Sequence, residues 1–171
     1  MTKLSDQSSK VRKSLSITGV NYATCCSGTK YKKRDDLLLV VLDPGSYVCG
    51  CFTVSTMPSA PVVWSRKNIK KASNIDEKNV LLINAGNANA FTGEEGLIAC
   101  KEKALALASI FKCAKKNIFF ASTGVIGEKL PYKKIIQHFD YLKDNLSHSS
   151  LKLASNAILT TDSKPKVYTS E

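Results

Sequence analysis

The sequence predicts an α/β (α+β) fold, a layered sandwich in which a mixed β-sheet is covered by helices. Two observations lead to this prediction. Short apolar runs such as Leu37–Leu42 and residues 79–83 are bounded by turn-forming residues, as buried strands are. Beyond residue 90, such runs alternate with segments whose apolar residues recur every three or four positions, the period of amphipathic helices. With 171 residues, one domain is expected.

The N-terminus is polar and basic, which predicts a loosely ordered tail over residues 1–14 ahead of a domain over 15–171. Within that domain, residues 15–23 predict a first strand. No apolar run reaches the length of a membrane span, and no apolar segment of a secretory signal follows the basic start. A cytoplasmic location is therefore expected, or the mitochondrial matrix if the source is a eukaryote.

The next segment predicts an antiparallel hairpin. Its two apolar runs, Leu37–Leu42 and residues 47–54, flank the turn-forming Asp43-Pro44-Gly45. Cys49 and Cys51 would then point to one face of the second strand. Prolines interrupt the pattern after it, and residues 62–64 predict a short extended segment.

The second half predicts a strand, a helix, a strand and two further helical segments. Residues 79–83 form the first strand, and Thr92 to Glu95 have the spacing of a capping box for the helix that follows. Residues 117–121 form the next strand, and Pro131 suits the start of a helix. The last helix is predicted over residues 151–159. The apolar stripe expected on the first helix consists of Leu97, Cys100, Ala104, Leu107, Ala108 and Phe111.

Charge and cysteines exclude some classes of protein. The net charge of +11 is compatible with an anionic partner, but the lysines are scattered in pairs, which favours a lysine-rich surface over a nucleic-acid site. The six cysteines form no C-x-x-C and lie far in sequence from both histidines, so no metal site is predicted. Reduced thiols in a reducing compartment are expected.

Ala121-Ser-Thr-Gly-Val-Ile-Gly127 is the sharpest candidate for chemistry. A strand that enters a Gly-containing turn leaves backbone amides to converge on a developing oxyanion. Thr123 adds a hydroxyl, and Gly124 allows close approach of a substrate. An ordinary strand-to-helix connection would have the same composition.

Two other polar segments follow predicted elements. Residues 84–90 alternate Asn with small residues, so Asn87 or Asn89 could contact a substrate or hold the turn through side-chain-to-backbone bonds. Thr160-Thr-Asp162 could bind polar groups of a substrate or cap the next turn. The chain contains no P-loop, dinucleotide fingerprint or G-x-S-x-G elbow, so an NTPase, a dehydrogenase or a serine hydrolase of the usual kind is not expected, and no cofactor is predicted.

In their order and spacing, these segments resemble the ornithine acetyltransferase (glutamate N-acetyltransferase) family, and the match covers the α-chain portion from about Gly19 to Lys166. The segments that match are Gly28-Thr-Lys30, Lys33-Arg-Asp-Asp-Leu37, Gly50-Cys-Phe-Thr53 with Ala60-Pro61, residues 84–93, residues 121–127, and Ala157-Ile-Leu-Thr-Thr-Asp162 with Pro165-Lys166.

The resemblance implies a self-processing precursor that cleaves itself into α and β chains, the new N-terminal threonine of the β chain being the nucleophile. The enzyme would transfer acetyl from N-acetylornithine to glutamate in arginine biosynthesis, and acetyl-CoA is a substrate of some members. In this chain Thr123 and Gly124 match the oxyanion-hole pair, and Thr160 matches a substrate-binding threonine. The implied partner is the β chain of the same precursor, in an α2β2 heterotetramer, with no nucleic acid and no membrane.

The sequence ends at Glu171, ahead of the position where the family's cleavage-site threonine is expected. By resemblance, these residues supply the oxyanion hole and part of the substrate pocket and do not turn over alone. Three alternatives remain open at this point: a self-processing aminopeptidase or amidase of similar architecture, a basic nucleic-acid-binding module, and a relic that has lost its function.

Overall fold

The computed structural model describes residues 17–70, 76–148 and 151–168. The tail predicted over residues 1–14 lies outside the described residues. In the described part, four strands and five α-helices follow one another along the chain, and a short 3₁₀ turn, Lys115–Asn117, precedes the last strand. The elements are β1 (Val20–Cys25), β2 (Leu37–Leu42), α1 (Ala60–Ile69), β3 (Asn79–Asn87), α2 (Gly93–Phe111), β4 (Ile118–Val125), α3 (Tyr132–Ile136), α4 (Phe139–Asp144) and α5 (Leu151–Ala157).

The four strands form one mixed sheet in the order β1-β2-β3-β4. β2 pairs antiparallel with both β1 and β3, whereas β3 and β4 are parallel and are joined through α2. A parallel neighbour needs such a crossover, because the chain must return to the starting end of the sheet. As a result, β1, β3 and β4 run in the same direction and their carboxyl ends lie at one end of the sheet.

Apolar side chains are buried on both faces of the sheet, which explains why Leu37–Leu42 does not alternate. The larger cluster packs one face of the strands against α1, α2, α3 and α4, and includes Leu39, Leu82 and Phe120. On the opposite face Tyr22 and Leu38 pack against α5. The predicted α+β sandwich of a mixed sheet between helices is therefore confirmed. None of the helices in the described residues is long and apolar enough to cross a membrane.

The predicted hairpin is wrong. β2 pairs with β1 and β3, and residues 47–54 form no strand; Cys49 and Cys51 are exposed there. A strand that is apolar on both faces suits the interior of a sheet covered by helices, and β2 takes that position between β1 and the more distant β3. Residues 62–64 were predicted to be extended and lie in α1, which begins at Ala60 with a proline in its first turn.

α1 covers part of the outer edge of β4. The Ser65 hydroxyl donates to the Phe120 carbonyl (2.8 Å) and accepts from the Phe120 N–H (2.9 Å). The Trp64 indole N–H donates to the Ile118 carbonyl (2.8 Å). These bonds take the place of a fifth strand over the first half of β4, since an uncovered edge would leave its peptide groups without partners.

α2 is confirmed as a helix, but two details of its prediction are wrong. The Thr92 side chain makes no capping bond and donates instead to Asn89 Oδ1 (3.1 Å). Leu97 is 41% exposed, whereas Lys103, which no apolar pattern selects, is 1% exposed. The buried stripe is therefore shifted around the helix from the predicted one, toward Lys103 and the ring of Phe120, which lies 4.4 Å from the Lys103 Nζ.

Candidate functional site

A cleft of about 430 Å³ lies at the end of the sheet where β3 and β4 finish. It brings together all three residues that the resemblance selected, Thr123, Gly124 and Thr160, although they come from a strand and from the segment after α5. Ligand sites at the carboxyl ends of strands are common in α/β proteins, because side chains and peptide groups from several elements converge there. The other lining residues are Lys30, Tyr31, Gly86, Val125 and Thr161.

Thr123 and Gly124 lie within β4 and not in a turn after it, so the predicted turn at residues 122–124 is wrong. Thr123 pairs with Ala85 and Gly124 with Gly86 in the parallel register. The peptide groups of Ile118 and Phe120 face away from β3, toward α1. Since peptide groups alternate along a strand, the Gly124 N–H is on that same outward side, beyond the part of the edge that α1 covers. An N–H there can donate to a ligand in the cleft.

Glycine is required at position 124 by the backbone of β3. The residue has φ of +130°, and a Cβ on it would lie 2.3 Å from the Gly86 carbonyl carbon. Any other residue would therefore clash with backbone atoms that have little freedom to move. The two glycines bring β3 and β4 close together at the floor of the cleft.

The asparagine segment holds this floor in place. Asn84 accepts from the Ser122 hydroxyl (2.6 Å) and donates to the Asn87 carbonyl (2.7 Å). Asn87 donates to the Glu128 carbonyl (3.1 Å), and Asn89 donates to the Gly96 carbonyl (3.1 Å). Asn84, Asn87 and Asn89 are buried and do not line the cleft, so the structure favours the scaffold interpretation of residues 84–90 over substrate contact.

The loop between β1 and β2 forms another wall of the cleft. It is anchored by Asp36, which is fully buried and whose carboxylate accepts from the Ser27 N–H (2.6 Å) and from the Thr29 hydroxyl (3.4 Å). The backbone of Asp36 is held as well, since its carbonyl accepts from the Ala85 N–H of β3 (2.8 Å). A buried carboxylate is stable when it is bonded in this way. The anchor fixes Lys30 and Tyr31 beside the strand ends.

Arg34 connects this loop to the segment that carries Thr160. Its guanidinium carbon lies 3.7 Å from the centre of the Tyr31 ring, and it donates a hydrogen bond to the Leu159 carbonyl (2.5 Å). A planar guanidinium can stack on an aromatic ring and at the same time donate hydrogen bonds from its edge, whereas an ammonium cannot do both. The interaction places Thr160, the next residue, against the Tyr31 wall.

We expect Arg34→Ala to loosen the Leu159–Thr161 segment without unfolding the domain. The amides of this segment should exchange with solvent about tenfold faster, since a hydrogen bond from a charged donor contributes about 1.5 kcal/mol. Amide hydrogen exchange followed by NMR measures this. Lys33→Ala is the matched control, because Lys33 is an exposed cation next to Arg34. Equal exchange rates in the two variants would contradict a positioning role for Arg34.

The buried cysteines near the sheet are poor nucleophiles. Burial, and then the nearby carboxylates of Asp35 and Asp36, raise the pKa of the Cys25 thiol to about 12. Burial also raises the pKa of Cys100. A thiol is reactive as its thiolate, so both groups remain in the unreactive form at neutral pH. In the described residues, no group of histidines, cysteines and carboxylates is arranged to hold a metal ion.

Local sequence reasoning did not select the loop residues of the cleft. Tyr31 carries no signal of its own, and Lys30 appears only inside a matched segment. Both residues reach the site because the loop between β1 and β2 is anchored there. The spacing of apolar residues in the sequence does not reveal such an anchor. Their one signal in the sequence was the position of Gly28-Thr-Lys30 among the segments that carry the resemblance.

The described residues form an α+β domain in which hydroxyl and amide donors gather in a cleft at the end of a mixed sheet. The chain belongs to the ArgJ family, whose family model matches residues 21–171. The resemblance to ornithine acetyltransferases is thereby confirmed.

Curated relatives of the chain are bacterial arginine biosynthesis bifunctional proteins ArgJ. The protein of Gluconobacter oxydans is 41% identical over 150 residues, which cover 88% of this chain and 34% of the relative. That of Nitrobacter winogradskyi is 43% identical over 153 residues, which cover 90% of this chain and 37% of the relative. The chain thus spans about a third of the length of these relatives.

Two solved structures have the same fold. An ArgJ crystal structure from Bacillus halodurans superimposes with a TM-score of 0.76 and 27% identity, over 86% of this chain and 75% of that one. An ornithine acetyltransferase from Mycobacterium tuberculosis, crystallised with ornithine, gives a TM-score of 0.76 and 26% identity, over 86% of this chain and 78% of that one.

Proposed function

We propose that this chain supplies the oxyanion hole and part of the substrate pocket of a glutamate N-acetyltransferase, which moves an acetyl group from N-acetylornithine to glutamate. The observation that carries the proposal is the convergence of Thr123, Gly124 and Thr160 on one cleft. Thr123 and Gly124 are adjacent in sequence, whereas Thr160 is 36 positions beyond Gly124, so the fold is what brings the third residue to the same cleft. Membership of the ArgJ family supports the same reaction.

The first half-reaction transfers the acetyl group to the enzyme. A threonine hydroxyl of the partner chain attacks the acetyl carbonyl carbon, and its proton passes to a base. The carbonyl oxygen becomes an oxyanion, which accepts from the Thr123 hydroxyl and the Gly124 N–H. When the C–N bond breaks, ornithine leaves as an amine that takes up a proton, and an acetyl ester of the threonine remains.

The second half-reaction transfers the acetyl group from the threonine ester to a different amine, the amino group of glutamate. The neutral amino group of glutamate attacks the ester carbonyl and gives up a proton to the base, while the same two donors stabilise the second oxyanion. The C–O bond then breaks, and the threonine oxygen takes up that proton to restore the hydroxyl. Because both steps develop negative charge on one oxygen, one pair of donors serves both. Thr160, which lines the same cleft, contacts the substrate. Acetyl-CoA could replace acetylornithine as the donor in the first half-reaction.

The partner that the proposal requires is the β chain of the same precursor, which provides the nucleophilic threonine in an α2β2 heterotetramer. Val125 and Ile126, at the end of β4 beside the cleft, are exposed apolar side chains that such a chain would cover. The precursor is proposed to cleave itself to release that threonine.

The proposal is tested by co-expressing this chain with the C-terminal remainder of the Gluconobacter oxydans ArgJ protein, which it does not cover. We expect the purified pair to transfer labelled acetyl from N-acetylornithine to glutamate, and each polypeptide alone to be inactive. Release of acetate at the same rate with and without glutamate would instead indicate an amidase. A pair that associates stoichiometrically but neither transfers nor hydrolyses acetyl groups would refute the proposed function.

A further inference from the structure

Lys30 is the only charged residue among the eight that line the cleft in the described part of the chain. The proposed substrates, N-acetylornithine and glutamate, both carry a carboxylate next to the nitrogen that is acetylated or deacetylated. We propose that the Lys30 ammonium binds this carboxylate and so determines that the enzyme acts on amino acids and not on simple amines. The inference rests on the proposed function and adds a specificity-determining residue to it.

The position of Lys30 places its ammonium within reach of a substrate that is held at the oxyanion donors. A Cβ on Gly86 would lie 2.7 Å from Lys30 Cβ and 3.1 Å from the Tyr31 ring, so the base of the lysine rests on β3. Gly86 is also the residue paired with Gly124 across the sheet. In an N-acetyl amino acid, the acetyl carbonyl oxygen and the carboxylate are about 5 Å apart. The four-carbon side chain of Lys30 is long enough to reach the carboxylate while the carbonyl oxygen lies at the oxyanion donors.

The loop that carries Lys30 is held in place before any substrate arrives. Asp36 anchors it to the Ser27 N–H and to β3, and Arg34 connects it to the segment of Thr160. A binding group on a fixed backbone loses less conformational freedom when its ligand binds. The backbone of Lys30 is therefore fixed before the substrate binds, and only its side chain has to adjust to the carboxylate.

Glu128 provides a carboxylate that the substrate can replace. The Lys30 Nζ lies 3.3 Å from Glu128 Oε2, and both side chains are about half exposed. An exposed ion pair of this kind contributes little stability, so exchanging Glu128 for a substrate carboxylate costs little. A substrate carboxylate would accept the same kind of charge-assisted hydrogen bond from the Lys30 ammonium.

The test compares the binding of N-acetylornithine with that of its carboxamide, which lacks only the negative charge, by NMR titration of the 171-residue chain. We expect the wild-type chain to bind the carboxylate form about tenfold more tightly and Lys30→Met to bind the two forms equally. Lys30→Arg should retain part of the preference. The control is Lys129→Met, which removes a more exposed lysine–glutamate ion pair, with Glu95, that does not line the cleft.

A wild-type chain that does not distinguish the two ligands, or a Lys30→Met chain that still does, would overturn the assignment. Unchanged amide spectra away from the cleft show that the variants are folded. The proposed function is judged separately by the reconstituted acetyl transfer. Carboxylate preference without transfer would refute the reaction and retain the Lys30 site, whereas transfer by a Lys30→Met pair at wild-type KM for glutamate would refute the Lys30 site alone.

Discussion

Thr123→Ala is expected to lower the rate of acetyl transfer by the reconstituted enzyme about 10²-fold. The hydroxyl is one of two donors that the structure places at the end of β4, and it would be needed most when the carbonyl oxygen carries a full negative charge. The loss should therefore appear in kcat, while KM for N-acetylornithine changes little. Steady-state kinetics with both substrates varied measures the two constants.

Two further variants separate loss of the donor from loss of packing at Thr123. Thr123→Ser keeps the hydroxyl and is expected to retain most of the rate, whereas Thr53→Ala removes a threonine hydroxyl that does not line the cleft and should have no effect. Thr123 is half-buried at the sheet end, so the alanine variant should fold normally. A reconstituted enzyme that is indifferent to Thr123→Ala would rule out the oxyanion assignment.

Lys103→Met is expected to stabilise the domain at neutral pH, and the gain should disappear as the pH rises. Burial lowers the pKa of Lys103 from 10.5 to about 8, with Cys100 as the neighbouring titratable group. Between these values the unfolded chain binds more protons than the folded one, so the stability of the wild type rises with pH through this window. Relative to the variant, the wild type should gain about 2 kcal/mol between about pH 7 and about pH 10.

Denaturant unfolding of both proteins across this range measures the difference. Only the difference is informative, because the raised pKa of Cys25 opposes the trend equally in both proteins. Lys101→Met is the matched control, since Lys101 is exposed on the same helix and should leave the pH profile unchanged. No ion pair among the described residues involves Lys103. A pH-independent difference would show that the Lys103 ammonium is solvated in the folded chain.

Most elements with a strong local pattern were predicted at nearly their observed positions. α2 and α5 fall where a period of three to four residues placed them, because their buried faces are continuous in sequence. β3 begins where its apolar run begins but continues to Asn87, through residues that were predicted to form a turn. The predicted end of β4 was too early. Ser122, Thr123 and Gly124 are typical turn residues, yet pairing with β3 continues through them, since register in a sheet depends on the neighbouring strand.

The lining of the candidate site was predicted in part. The order of several short segments selected Thr123, Gly124 and Thr160, and the structure brings these residues to one cleft. Lys30 and Tyr31 were not selected as site residues, because nothing local shows where a loop of mixed composition will rest. The loop is held in part by bonds to residues that are distant in sequence, since the Ala85 N–H donates to the Asp36 carbonyl and Arg34 donates to the Leu159 carbonyl.

By itself, the sequence determined which segments are apolar enough to be buried and at what period, and therefore the α+β class of the domain. Tertiary structure alone decided that β2 pairs with β3, that Lys103 is buried, and that Arg34 of one loop donates to the Leu159 carbonyl, 125 positions away. The physical reason is that burial preference is a property of each residue and its near neighbours. Strand pairing, desolvation of a single charge and the position of a loop depend on groups that meet only after the chain has closed upon itself.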